Sequence, residues 1–121
     1  MQSGTVVICD YLTFSGDKKC GLFIVLSDEQ YDNSNNDIMN FTAIKITTKL
    51  DMVGNYTVNL NTDENSFFNN PCLASCSKIH TLHKHQIRRS IGRLSTNSFK
   101  KVYITVKKFL SEIDRQMMNE L

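Results

Sequence analysis

The last quarter of the chain changes its apolar period, and that change constrains the fold more than any other feature. Phe99, Val102, Tyr103, Val106, Phe109, Leu110, Ile113 and Met117 recur at intervals of three and four. This spacing gathers apolar side chains on one stripe of an α-helix. Lys100, Lys101, Lys107 and Lys108 fall off the stripe, and Ser95, Thr96 or Asn97 is placed to cap the helix start. A helix with one apolar stripe needs an apolar surface to lie on, so the preceding residues must build one.

Those residues read as short strands. "TVVICDY" (5–11) is rich in β-branched side chains, "CGLFIVLS" (20–27) is a continuous apolar run of strand length, and "MNFTAIKITTK" (39–49) alternates. "GNYTVNL" (54–60) follows a Gly-Asn turn, and "CLASCSKIHTL" (72–82) makes a fifth strand. "LTFSGDKK" and "DEQYDNSNNDI" are polar loops, and "NTDENSFFNN" is a loop or one helical turn. "KHQIRRSI" is read as a short helical turn before Gly92. The expected class is mainly β with α: a small antiparallel barrel or half-barrel with a long C-terminal helix. At 121 residues it is expected to form a single domain over 1–121.

No stretch approaches the roughly 18–20 apolar residues of a membrane-spanning helix. The N-terminus has no early basic region, and its short apolar run is interrupted by Asp10; the expectation is no signal peptide and no membrane. A reducing, cytoplasmic setting with Cys9, Cys20, Cys72 and Cys76 as free thiols follows from that reading. Net charge is +2 but unevenly spread. Residues 1–64 hold four basic against nine acidic side chains, residues 65–121 ten against three, and no Asp or Glu lies between Asn65 and Ser111. Such a basic half is either a solvated face or a surface for phosphates or an acidic protein.

"CLASCSKIHTLHKH" (72–85) holds two cysteines and all three histidines, the ligand types zinc prefers. On a strand, Cys72, Cys76 and His80 share one face but stand about 13 Å apart in sequence order. Ligands strung out in that way cannot meet around one metal, so none is expected, and the run reads as two buried thiols with surface or turn histidines.

"GTVVICDY", "GLFIVLS", "AIKITTK", "KIHTLHKHQIRRSIGRLS" and the closing helix, in that order, resemble the PemK/MazF toxin family of bacterial toxin–antitoxin pairs. Gly4, Asp10, Ile46-Thr47, Ile79-His80-Thr81, Lys84, Ile91-Gly92 and Leu94 stand at corresponding places over nearly the whole chain. The resemblance implies a small β-barrel with a C-terminal helix, a homodimer, and an acidic antitoxin peptide as partner. It also implies cleavage of single-stranded RNA by attack of the ribose 2′-hydroxyl, with no metal and no cofactor. Departures fall at the implied site. The family's Arg-Pro on the second strand is replaced by Gly21-Leu22, Ser77 stands where some members carry an acid, and His80 replaces an Arg. The implied catalytic set is Thr47, His80 and Lys19, with Lys18, Lys49, Lys78, Lys84 and Arg88 on the RNA. Two readings stay open at this point: an endoribonuclease with an altered site, or a barrel that has lost cleavage and binds RNA, an antitoxin-like peptide or a host protein.

Overall fold

A computed structural model describes residues 2–31 and 38–120. Six strands form one antiparallel sheet: β1 (Thr5–Leu12), β2 (Lys18–Tyr31), β3 (Ile38–Thr47), β4 (Thr57–Leu60), β5 (Cys72–His83) and β6 (Ile87–Arg93). Their order is β4-β5-β3-β2-β1-β6, with hydrogen-bonded ladders between neighbours in that order. The sheet does not close on itself. After β5 the chain makes one 3-10 turn, Lys84–Gln86, and crosses the sheet to pair β6 with β1. That crossing touches both β3 and β1, and Gln86 Nε2 donates to Asp10 O at 2.9 Å. The result is a half-barrel, as the sequence suggests.

The expected strands are all present, and two expectations change. β2 runs on to Tyr31 and β3 begins at Ile38, so the ends of the polar stretch 28–38 are strand; residues 32–37 lie outside the described residues. "KHQIRRSI" is not a helical turn throughout: only Lys84–Gln86 is helical, and Ile87–Arg93 is a sixth strand. Its two isoleucines sit at the helix-like spacing of four. Register shifts between Val6 and Val7 and between Ile8 and Cys9 interrupt the ladder with β1. Ile87 therefore packs on one face of the sheet and Ile91 on the other, a pattern no regular strand produces.

Each face has its own core. Val6, Ile24, Ile44, Ile46, Leu60, Cys72, Cys76 and Leu94 are buried together with Val102 and Val106 of the helix α1 (Thr96–Glu120). On the opposite face Val7, Cys9, Phe23, Val25, Phe41, Ala43 and Leu82 are buried, with Ile87 of β6 packed on them. Full burial of a Val or Leu side chain is worth about 1.5–3 kcal/mol, so both faces contribute substantially.

The helix start is held by the 61–65 segment. Ser95 Oγ accepts from Ser98 N at 3.1 Å, which makes Ser95 the cap among the three candidates. Asn65 Oδ1 accepts from Ser95 N at 2.9 Å, and the Glu64 carboxylate accepts from Ser95, Asn97 and Ser98. Those donors hold the Glu64 carboxyl below its usual range, with the Asn97 bond contributing most. The helix is about 37 Å long at 1.5 Å per residue, and its two halves differ. Val102 and Val106 are buried and Phe109 meets Tyr56 edge to face, but Leu110, Ile113 and Met117 are exposed. No helix among the described residues is long and apolar enough to cross a membrane.

Candidate active site

Where β2 begins and β3 ends, the half-barrel opens into a groove of about 550 Å³. Lys19, Lys45, Thr47, Lys49 and Lys78 line it, with Tyr11, Cys20 and Gly21, and no Asp or Glu among the described residues does. The ladders explain the convergence. Tyr11 pairs with Lys19, Cys9 with Gly21, and Phe23 with Lys45. Alternation along β3 then puts Phe41, Ala43, Lys45 and Thr47 on one face. Lys78 arrives differently. β3 pairs Ile44 with Ile79 but Lys45 with Ser75. Cys76, Ser77 and Lys78 therefore bulge out of the ladder, and the bulge turns Lys78 toward the groove.

Lys45 is the centre of this site and its placement was not anticipated. Its side chain is half-buried between the Tyr11 and Phe23 rings, with Nζ 5.4 Å and 5.2 Å from their centroids, and Nζ donates to Ile46 O at 2.8 Å. The amine occupies the space over Gly21. A Cβ added there would stand 2.7 Å from Lys45 Nζ and 2.9 Å from Tyr11 Cε1. Glycine at 21 thus makes the room in which the Lys45 amine sits. Burial, and then the like charge of Lys78, hold the Lys45 pKa below its ordinary value, opposed weakly by Cys20. No carboxylate among the described residues pairs with it.

His80 does not line the groove. Its ring packs edge-on against Phe23 at 5.2 Å and Tyr11 at 6.2 Å, the same two rings that hold Lys45. Burial first, then Lys45 and Lys78, push its pKa down from 6.5, which favours the neutral ring. Thr47 is half-buried, and its Oγ1 accepts from Lys49 N at 3.2 Å.

Of the sequence-derived set, Thr47, Lys19, Lys49 and Lys78 come together in the groove. Lys18 opens β2 opposite Leu12, and Lys84 lies in the 3-10 turn after β5. Arg88 is held by Asp10 through a 2.8 Å ion pair. The possible zinc ligands separate further than a regular strand predicts, because the same bulge reverses the facing of the strand. Cys72 and Cys76 lie in the core beneath α1, whereas His80 lies on the opposite face against Phe23. Burial pushes the Cys72 thiol up to about 11 and those of Cys9 and Cys76 up to about 12, so all three are poor ligands and poor nucleophiles.

A family model described as the PemK-like, MazF-like toxin of type II toxin–antitoxin systems matches residues 2–110. This chain belongs to that toxin family. Among solved structures, the fold is similar to a mycobacterial endoribonuclease in complex with its cognate antitoxin. The TM-score is 0.69 at 16% identity, over 92% of this chain and 95% of that one. It is similar as well to an endoribonuclease from a mycobacterial species, with TM-score 0.68 at 16% identity, covering 92% and 91%. The Mycobacterium tuberculosis toxin MazF-mt6 follows, at 0.62 and 17% identity, covering 87% and 96%. No curated protein sequence matches the chain. The family shows what kind of toxin this is, and the low identities to the solved structures add the fold alone.

Proposed function

We propose that this toxin is an endoribonuclease that cuts single-stranded RNA in the lysine-lined groove, without a metal ion. The observation that carries the reading is the Lys45 amine held over Gly21 beside Thr47. The family resemblance implies an Arg on the second strand where this chain has Gly21. Here a cation from β3 fills the same space. In the proposed reaction the ribose 2′-oxygen bonds to phosphorus while the bond to the 5′-oxygen breaks. The 2′-proton leaves to a base, and the 5′-oxygen takes up a proton. The Lys45 ammonium offsets the charge that builds on the phosphoryl oxygens, where a preorganised cation in a partly dry site acts most strongly. Thr47 donates to the same group. Lys19, Lys49 and Lys78 hold the flanking phosphates. His80, neutral and braced on Phe23, is a positioning residue that keeps the Tyr11–Phe23 wall around Lys45.

The lysine-rich lining of the groove equally suits an acidic antitoxin segment, which would compete with RNA there. The apolar stripe left exposed on α1 supports a dimer in which a second chain covers it. RNA as substrate places the action in the cytoplasm.

The test is purified protein with a long single-stranded RNA in EDTA, with the product ends mapped. Discrete cuts bearing 5′-hydroxyl ends, lost in Thr47→Ala, support the reading. RNA left intact at high protein concentration refutes it and favours a barrel that only binds.

A further inference from the structure

A second cavity, of about 570 Å³, lies on the α1 side of the sheet between β6 and the segment that leads into β5. Leu22 and Thr48 line this cavity and the lysine groove alike, so the two are neighbours that meet at these residues. Its wall is apolar, with Phe67 the main aromatic surface, and Asn69, Asn70 and Arg89 form its polar edge. We propose that this cavity is a base-binding subsite: it takes the unpaired nucleobase next to the scissile phosphate and so sets where the RNA is cut. This rests on the groove being the cleavage site.

Three observations support it. The first is that the polar edge is uncommitted. The neighbouring Asn61, Glu64 and Asn65 side chains are all engaged in the helix start and its loop. The side chains of Asn69, Asn70 and Arg89 are exposed and make no hydrogen bond or ion pair with the described residues. An asparagine amide offers two donors and one acceptor, the groups that match the edge of a base. Arg89 adds a planar fork for a base edge or a phosphate.

The second is that the aromatic wall is fixed in advance. The Phe67 ring lies on the backbone of Gly92, where an added Cβ would stand 2.4 Å from Cδ1, and it packs on Phe68 with centroids 4.5 Å apart. A wall that does not have to be ordered on binding loses less entropy. Proteins that read single-stranded RNA combine such surfaces with a few polar groups and a cationic path for the backbone.

The third is charge. Among the described residues no Asp or Glu lines either cavity, and Lys19, Lys45, Lys49 and Lys78 line the groove while Arg89 lines the second cavity. A nucleotide whose phosphate sits by Lys45 therefore meets no repulsion when its neighbour's base turns past Thr48 into the second cavity.

The experiment titrates the labelled full chain with each of the four nucleoside 5′-monophosphates at millimolar concentration and follows the side-chain amide signals of Asn69 and Asn70. Cut positions in a long RNA are mapped on the same preparation. The proposal expects saturable shifts of both amides with one base preferred, affinity down about tenfold in Asn70→Ala, and relaxed cut positions in Asn69→Ala and Asn70→Ala. If no nucleotide moves these amides, or only an acidic peptide does, the subsite is overturned even if RNA is cut. If wild type cuts RNA and the variants keep its cut positions, the subsite is likewise overturned. Amide shifts without any cutting retain the subsite as a nucleotide site and reject the nuclease reading instead.

Discussion

Replacing Lys45 with Met removes the amine and keeps the length and apolar stem of the side chain. The effects on folding nearly cancel. The variant loses the bond from Nζ to Ile46 O, worth about 1 kcal/mol. It also loses two ring contacts at 5.2 and 5.4 Å, each worth about 0.5–1 kcal/mol. Against that, a half-buried charge with no carboxylate partner is removed, along with its repulsion from Lys78. The expected net change is within about 1 kcal/mol, or about 4 °C in Tm for a chain of this size. The functional effect does not cancel. Removing one preorganised donor to a developing oxyanion lowers kcat by about 100- to 1,000-fold. Losing one phosphate contact also flattens the log–log salt dependence of RNA binding by about 0.7. The assays are thermal melting, initial cleavage rate on a fluorescent oligoribonucleotide, and anisotropy across a salt series. Cleavage within threefold of wild type, in a protein that melts normally, would falsify the assignment of Lys45 to the site.

Other predictions follow from packing and protonation. Gly92→Ala forces a Cβ into the Phe67 ring, which packs on Phe68; it should lower stability by about 1–3 kcal/mol in a denaturant melt, and a change under 0.5 kcal/mol means that the ring moves aside freely. His80 has a folded-state pKa below the unfolded 6.5, so the unfolded state binds the proton more readily and stability falls as pH drops below 6.5. The groups facing it are Lys45 from β3, Lys78 from its own β5, and the Tyr11 and Phe23 rings. His80→Phe should flatten that part of the stability–pH curve, and an unchanged slope means that the ring is solvated.

What the sequence made legible were the features that repeat along the chain. The stripe from Phe99 to Val106 is a helix packed on β4 and β5, and the runs at Thr5, Cys20, Phe41 and Cys72 are strands. What stayed hidden depends on breaks in the repeat. Ile87 and Ile91 look like two helical neighbours because bulges in the β1–β6 ladder are invisible in a list of residues. The bulge at Cys76–Lys78 likewise sends the two thiols and His80 to opposite faces and Lys78 to the groove. Lys45 reads as an ordinary polar member of an alternating strand. One local signal was available: it shares its face with Phe41 and Ala43, both buried. Its meaning comes only from the register that sets it opposite Phe23 and beside Gly21. The resemblance implies an Arg at the place of Gly21; the cation found over Gly21, Lys45, lies 24 residues further on.

The claim that the ribose itself supplies the nucleophile in this groove is tested most directly with two oligoribonucleotides spanning one mapped cut. They differ only in a single 2′-deoxy sugar on the 5′ side of the scissile phosphate. The account predicts that the all-ribose strand is cut in EDTA to a 2′,3′-cyclic phosphate and a 5′-hydroxyl, and that the deoxy strand stays intact. Cleavage of both strands, or of neither, contradicts it.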